Sequence, residues 1–155
     1  MSPWGVSTTT ISERTTLNIL LVEDDPGDVL LVQEVLGEYG YGAHLTIAAD
    51  GAEALSYLRR EGDYADAVRP HLILLDLNLP KVSGREVLTQ IKNDPALWTV
   101  PVIVLTTSSA EEDVLRAYSQ HANAYVTKPM DFMQFTTAVS KVGHFFGSTV
   151  RLPFS

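Results

Sequence analysis

A chain of 155 residues is long enough to bury one core, and its net charge of −8 argues against nucleic acid as a direct partner, because phosphate binding needs a basic surface. The absence of cysteine excludes disulfides and thiolate metal sites, and no apolar run approaches the roughly 18 residues of a membrane span. Residues 1–16 are Ser/Thr-rich and lack the apolar centre of a signal peptide; they read as a flexible tail, and the expected location is the cytoplasm.

Asn18 to Val22 is a continuous apolar run ending in Glu23-Asp24-Asp25, the pattern of a strand buried on both faces. Asp25 fits a helix N-cap, Pro26 the first turn and Asp28 the acidic third position, so both aspartates read as helix-start residues, the alternative being contact with a metal ion. That helix carries Val29, Leu30, Val32, Val35 and Leu36 and ends near Gly37 to Gly40. His44 to Ala49 is a short strand, and Asp50-Gly51-Ala52-Glu53 has capping-box spacing for a helix through Arg60. Glu61 to Pro70 is a polar loop. Leu72 to Leu75 is a second apolar run, ending on Asp76 and closed by Pro80.

Ser83-Gly84-Arg85-Glu86 starts a helix that buries Val87, Leu88 and Ile91 and stops near Asp94-Pro95. Val100 to Leu105 is the third apolar run, ending on Thr106-Thr107-Ser108. Ser108 or Ser109 caps the next helix, expected through about Gln120. Ala124 to Thr127 is the last strand, ending at Lys128-Pro129. Asp131 and Gln134 then open a final helix with Phe132, Phe135, Val139 and Val142 facing inward. Five strands alternating with five helices imply an α/β fold with a doubly wound parallel sheet. Fewer than thirty residues come after Lys128, so no effector domain is expected beyond the last helix.

Glu23, Asp24, Asp76, Thr106 and Lys128 all stand at strand ends, so a parallel sheet brings them to its carboxyl edge, where open α/β sheets bind ligands. If the first and third strands are neighbours, Asp24 and Asp76 leave strand ends about 4.8 Å apart. Carboxylates that close repel, and oxygen ligands favour Mg2+ over Zn2+. With an ammonium and a hydroxyl added, the set suits phosphoryl transfer, and an aspartate can itself be the nucleophile. His44, His71, His121 and His144 are scattered, with no pair at metal spacing.

Glu23-Asp24, Asp76 to Pro80 with Gly84, Thr106 and Lys128-Pro129 together resemble the response-regulator receiver domain, over about Leu17 to Phe146. The resemblance implies a sheet of order 2-1-3-4-5, Asp76 as phosphoacceptor, and Mg2+ held by Asp24 directly, by Glu23 mainly through water, and by Asp76 and the Asn78 backbone carbonyl. It also implies that Thr106 and Lys128 bind phosphoryl oxygens, that Thr106 and Tyr125 form the switch, and that Lys128-Pro129 is cis. The stretches Asp76 to Gly84, Val104 to Ser108 and His121 to Tyr125, with the Phe-rich tail, resemble stand-alone regulators that pair with phytochrome-type histidine kinases and often form homodimers.

The expected function is therefore a phosphorylation switch served by a histidine kinase, with no enzymatic turnover beyond its own phosphorylation and dephosphorylation. A phosphorylation-independent interaction module and a small metal-dependent phosphohydrolase are the alternatives; the second lacks an aspartate two residues after Asp76, where Asn78 stands. Phe145, Phe146, Val150, Leu152, Pro153 and Phe154 crowd the end of the chain, with 147–155 as an apolar tail. It is expected to pack on a second copy, the alternative being to fold back on its own domain.

Overall fold

Strands this apolar cannot leave either face in water, and side-chain alternation sends successive residues into two separate cores. The computed structural model describes residues 17–39, 44–107 and 122–146. In chain order these form β1 (Asn18–Val22), α1 (Pro26–Tyr39), β2 (His44–Ala48), α2 (Gly51–Leu58), a 3-10 turn at Gly62–Tyr64, β3 (Leu72–Asp76), α3 (Gly84–Lys92), β4 (Val102–Thr107), β5 (Ala124–Lys128) and α4 (Phe132–Phe146). All strand pairs are parallel, in the order β2-β1-β3-β4-β5, which is the expected doubly wound sheet. The helix expected from Ser108 or Ser109 to Gln120, the residues 1–16 and the tail 147–155 lie outside the described residues.

One core joins Ile19, Leu21, Leu72, Leu74, Ile103 and Leu105 to α1 and α4 through Val32, Val35, Phe135 and Val139. The other joins Leu20, Val22, Ile73, Leu75, Val102 and Val104 to α2 and α3 through Leu55, Leu58, Val87, Leu88 and Ile91. Each such large apolar side chain contributes roughly 1.5–3 kcal/mol on burial, and strands and helices share them.

The helix starts match the caps in the sequence. Asp25 Oδ1 accepts from Gly27 N at 3.3 Å, Asp50 Oδ1 from Glu53 N at 2.8 Å, and Ser83 Oγ from Glu86 N at 3.2 Å. At α4 the box is reciprocal: Gln134 N donates to Asp131 Oδ1 at 2.7 Å and Asp131 N to Gln134 Oε1 at 3.1 Å.

Four boundaries or orientations differ from expectation. α2 ends at Leu58 rather than Arg60, because Arg60 adopts φ 57° and the amides of Arg60 and Glu61 return to the carbonyls of Tyr57 and Ser56. β2 stops at Ala48, since the Ala49 amide donates to Glu53 Oε1 in the next cap. β4 starts at Val102, because the Val100 amide turns back to the Leu97 carbonyl. Phe132, expected inside, is 37% exposed: it is the first residue of α4, a turn before Phe135 and Val139 reach the sheet. The side chain of Val142 lies outside the described residues.

Candidate functional site

Register brings the strand ends together. Val22 pairs with Leu75, Asp76 with Leu105 and Thr107 with Lys128, so β1, β3, β4 and β5 finish at one edge of the sheet. Asp76 continues the side-chain alternation of Leu72 and Leu74, and Lys128 that of Ala124 and Val126; both therefore lie toward the core beneath α1 and α4. Thr106 continues the opposite set, Val102 and Val104.

The charged residues meet as the sequence predicts. Glu23, Asp24 and Asp76 each offer a carboxylate oxygen within 4.8 Å of the others, Glu23 and Asp76 buried and Asp24 exposed. Lys128 Nζ lies 2.8 Å from Glu23 Oε1 and 3.3 Å from Asp76 Oδ2. The Asn78 amide donates to Asp76 Oδ1 at 3.2 Å, which orients the carboxylate from its own loop. That loop is braced by Lys81, in the left-handed region at φ 63°, whose ammonium lies 3.3 Å from Asp50 Oδ2 at the start of α2. The Lys128-Pro129 bond is cis.

One partner went unseen in the sequence. Asp28 Oδ2 accepts a hydrogen bond from Lys128 Nζ at 3.0 Å, across 100 residues of chain. Asp28 occupies an acidic position in the first turn of α1, and the sequence pattern offers that local role, or contact with a metal ion, but no pairing with Lys128.

The site is electrostatically unbalanced. Burial pushes the Glu23 carboxyl up to about 7, Lys128 pulls it down, and the neighbouring Asp76 charge raises it again. Burial alone would lower Lys128, but Glu23, Asp28 and Asp76 outweigh it and hold the ammonium above its ordinary value. Among the described residues, the buried hydroxyl of Thr106 lacks a hydrogen-bond partner, while Glu23 Oε1 has Lys128 Nζ at 2.8 Å as its close contact. A buried carboxylate oxygen within a cluster of three carboxylates fits a hard divalent cation, and an unpartnered hydroxyl at the same strand edge fits an anion's oxygen.

Tyr125 is 41% exposed on β5, level with Val104 of β4. No described helix is long and apolar enough to cross a membrane.

Residues 19–140 match the response regulator receiver domain family. The chain is 47% identical over 135 residues to response regulator Rcp1 of Synechocystis sp., covering 87% of this chain and 92% of that relative. A solved structure of the Mn(2+)-bound form of Rcp1 superposes with a TM-score of 0.70, covering 88% of this chain and 98% of that one at 47% identity. The phosphorylated cyanobacterial phytochrome response regulator RcpA gives 0.73 at 47% identity, covering 89% and 99%. The bacteriophytochrome response regulator AtBRR gives 0.76 at 42% identity, covering 83% and 93%. With the family's sheet order, its acidic cluster and this extent of similarity, the chain belongs to the response regulator receiver domain family and is related to phytochrome response regulators.

Proposed function

We propose that Asp76 accepts a phosphoryl group from a histidine kinase, of the phytochrome type by similarity to the phytochrome response regulators, and that the phosphorylated form signals through altered protein contacts. The observation that carries this reading is the convergence of Lys128 on buried Asp76 beside Glu23 and Asp24. In the transfer, an Asp76 carboxylate oxygen forms a bond to phosphorus as the P–N bond to the kinase histidine breaks, and the bonding pair returns to the imidazole. Glu23, Asp24, Asp76 and the Asn78 backbone carbonyl would hold Mg2+. The bound ion would neutralise charge on the phosphoryl oxygens as the bond to Asp76 forms.

Lys128 and the Thr106 hydroxyl take the remaining phosphoryl oxygens. Thr106 is drawn toward them, and Tyr125 responds by changing rotamer, which reshapes the surface around β5 and α4. Hydrolysis of the acyl phosphate resets the site. The working location is the cytoplasm, with neither membrane nor nucleic acid as partner. The receiver spans residues 17–146, flanked by the 1–16 and 147–155 tails, and the apolar second tail supports a homodimer.

Incubation with acetyl phosphate and Mg2+, read by intact mass, tests this. A single labile phosphoryl adduct supports the switch. No adduct at any metal concentration would leave the phosphorylation-independent module, and turnover of a general phosphatase substrate would favour the phosphohydrolase.

A further inference from the structure

The lysine at the centre of the site is held by an aspartate that belongs to neither the acceptor nor the metal cluster. Lys128 Nζ is met by Glu23 Oε1 at 2.8 Å, Asp28 Oδ2 at 3.0 Å and Asp76 Oδ2 at 3.3 Å. The contact to Asp28 is a hydrogen bond, the one to Glu23 is shorter, and the one to Asp76 is the longest. Asp28 stands on α1, outside the group formed by Glu23, Asp24 and Asp76. Loading a cation into that group therefore leaves Asp28 a full counter-charge to Lys128.

A phosphoryl group on Asp76 requires the same ammonium. We propose that Asp28 is a positioning residue that competes with the phosphoryl group for Lys128, holding the lysine on the α1 side and opposing occupancy of Asp76. The inference rests on the reading of Asp76 as acceptor and adds what sets its resting state. Glu23 and Asp24 lose their excess negative charge to a bound cation, whereas Asp28 keeps its own. Asp28 thus opposes the phosphorylated state even when the metal site is full.

The test is a titration with beryllofluoride, a phosphoryl mimic, at saturating Mg2+ and about 0.15 M salt, near physiological ionic strength. It compares the wild-type chain, Asp28→Asn, Lys128→Ala and the double variant, with Asp28→Ser as a second neutral variant should Asn disturb α1. Asp28→Asn is expected to bind the mimic roughly three- to tenfold more tightly, the size expected for one partly exposed charge pair. In the Lys128→Ala background the same substitution is expected to change affinity by less than about twofold, because the contested ammonium is gone. Mg2+ affinity without the mimic should change little in Asp28→Asn. A merely structural role for Asp28 would alter unfolding and leave mimic affinity alone. Unchanged or weaker binding in both neutral variants overturns the proposal. So does a gain that persists without Lys128, which would mean bare repulsion by Asp28. If the wild-type chain itself fails to bind the mimic with Mg2+ present, the phosphoacceptor reading falls, and this inference with it.

Discussion

Gly84, the first residue of α3, packs against the backbone of Asp76, the last residue of β3. A Cβ added at Gly84 would fall inside contact distance of the Asp76 carbonyl oxygen and 2.5 Å from Leu77 Cα, both of them backbone atoms that no rotamer change can move. The helix can therefore approach β3 this closely only with glycine at position 84. Gly84→Ala is expected to destabilise the fold by about 1–3 kcal/mol, the usual cost of overpacking, and to reduce phosphoryl uptake by shifting the Asp76 backbone. Gly37→Ala is the contrast: nothing lies within 4 Å of its added Cβ, and it should stabilise α1 by about 0.5–1 kcal/mol. Urea unfolding of the two variants reads both signs.

The opposite edge of the sheet holds a second tie. Asn123 Oδ1 accepts from the Val102 amide at 2.8 Å and from Lys92 Nζ at 3.1 Å. Lys92 also donates to the carbonyls of Trp98 and Val100, while burial pulls its ammonium down to about 8. Asn123→Ala strands the Val102 amide at the start of β4 and removes one of three acceptors around a buried cation. The expected loss is about 1–3 kcal/mol in urea unfolding, with phosphoryl uptake retained because the tie is at the far end of the strands.

Glu23 makes metal-free stability pH-dependent. Its carboxyl is raised from 4.5 to about 7, so between those values the native state holds a proton that the unfolded chain has released. Its contribution is thus complete below about 4.5 and is lost as pH rises through about 7. Thermal melts in a chelator should show this loss, and Glu23→Gln should flatten it. Because a cation must displace that proton, Mg2+ affinity of the wild-type chain should rise with pH over the same window, more steeply than in Glu23→Gln. Equal pH profiles for the two proteins would contradict the assignment.

Asp24 is the exposed member of the cluster and makes no described contact with Lys128, so its carboxylate is the one most available to a cation. Asp24→Asn should weaken Mg2+ binding at least several-fold and slow labelling by acetyl phosphate, while its metal-free stability is maintained or rises as repulsion falls. Calorimetric titration with Mg2+ checks the first point, and unchanged affinity would remove Asp24 from direct ligation.

The legible part of this protein was the part written in local pattern. Glu23, Asp76 and Lys128 each stand at the end of a strand, and parallel strands must bring their terminal residues to one edge, so the site could be assembled without coordinates. The caps Asp25, Asp50, Ser83 and Asp131 were legible for the same reason, since their partners are two or three residues away. Asp28 was not, because its helix-start role satisfied the local pattern while its partner is set by how α1 packs beside β5. Lys92 and Asn123 were hidden likewise: an exposed-looking lysine in a helix's last turn gives no sign that carbonyls from two loops will enclose it. Phe132 departs from the expected inward face because helix periodicity assigns a face but does not say where the first turn clears the sheet.

The proposed switch depends on Asp76 carrying the phosphoryl group. It is tested most directly by labelling the chain with acetyl phosphate and Mg2+, reducing the acyl phosphate with borohydride, and locating the resulting homoserine by peptide mass spectrometry. Conversion is expected at Asp76 alone, and at no aspartate in Asp76→Asn, with the variant still folded. Conversion at Asp24, Asp25 or Asp28, or equal labelling of Asp76→Asn, would contradict it.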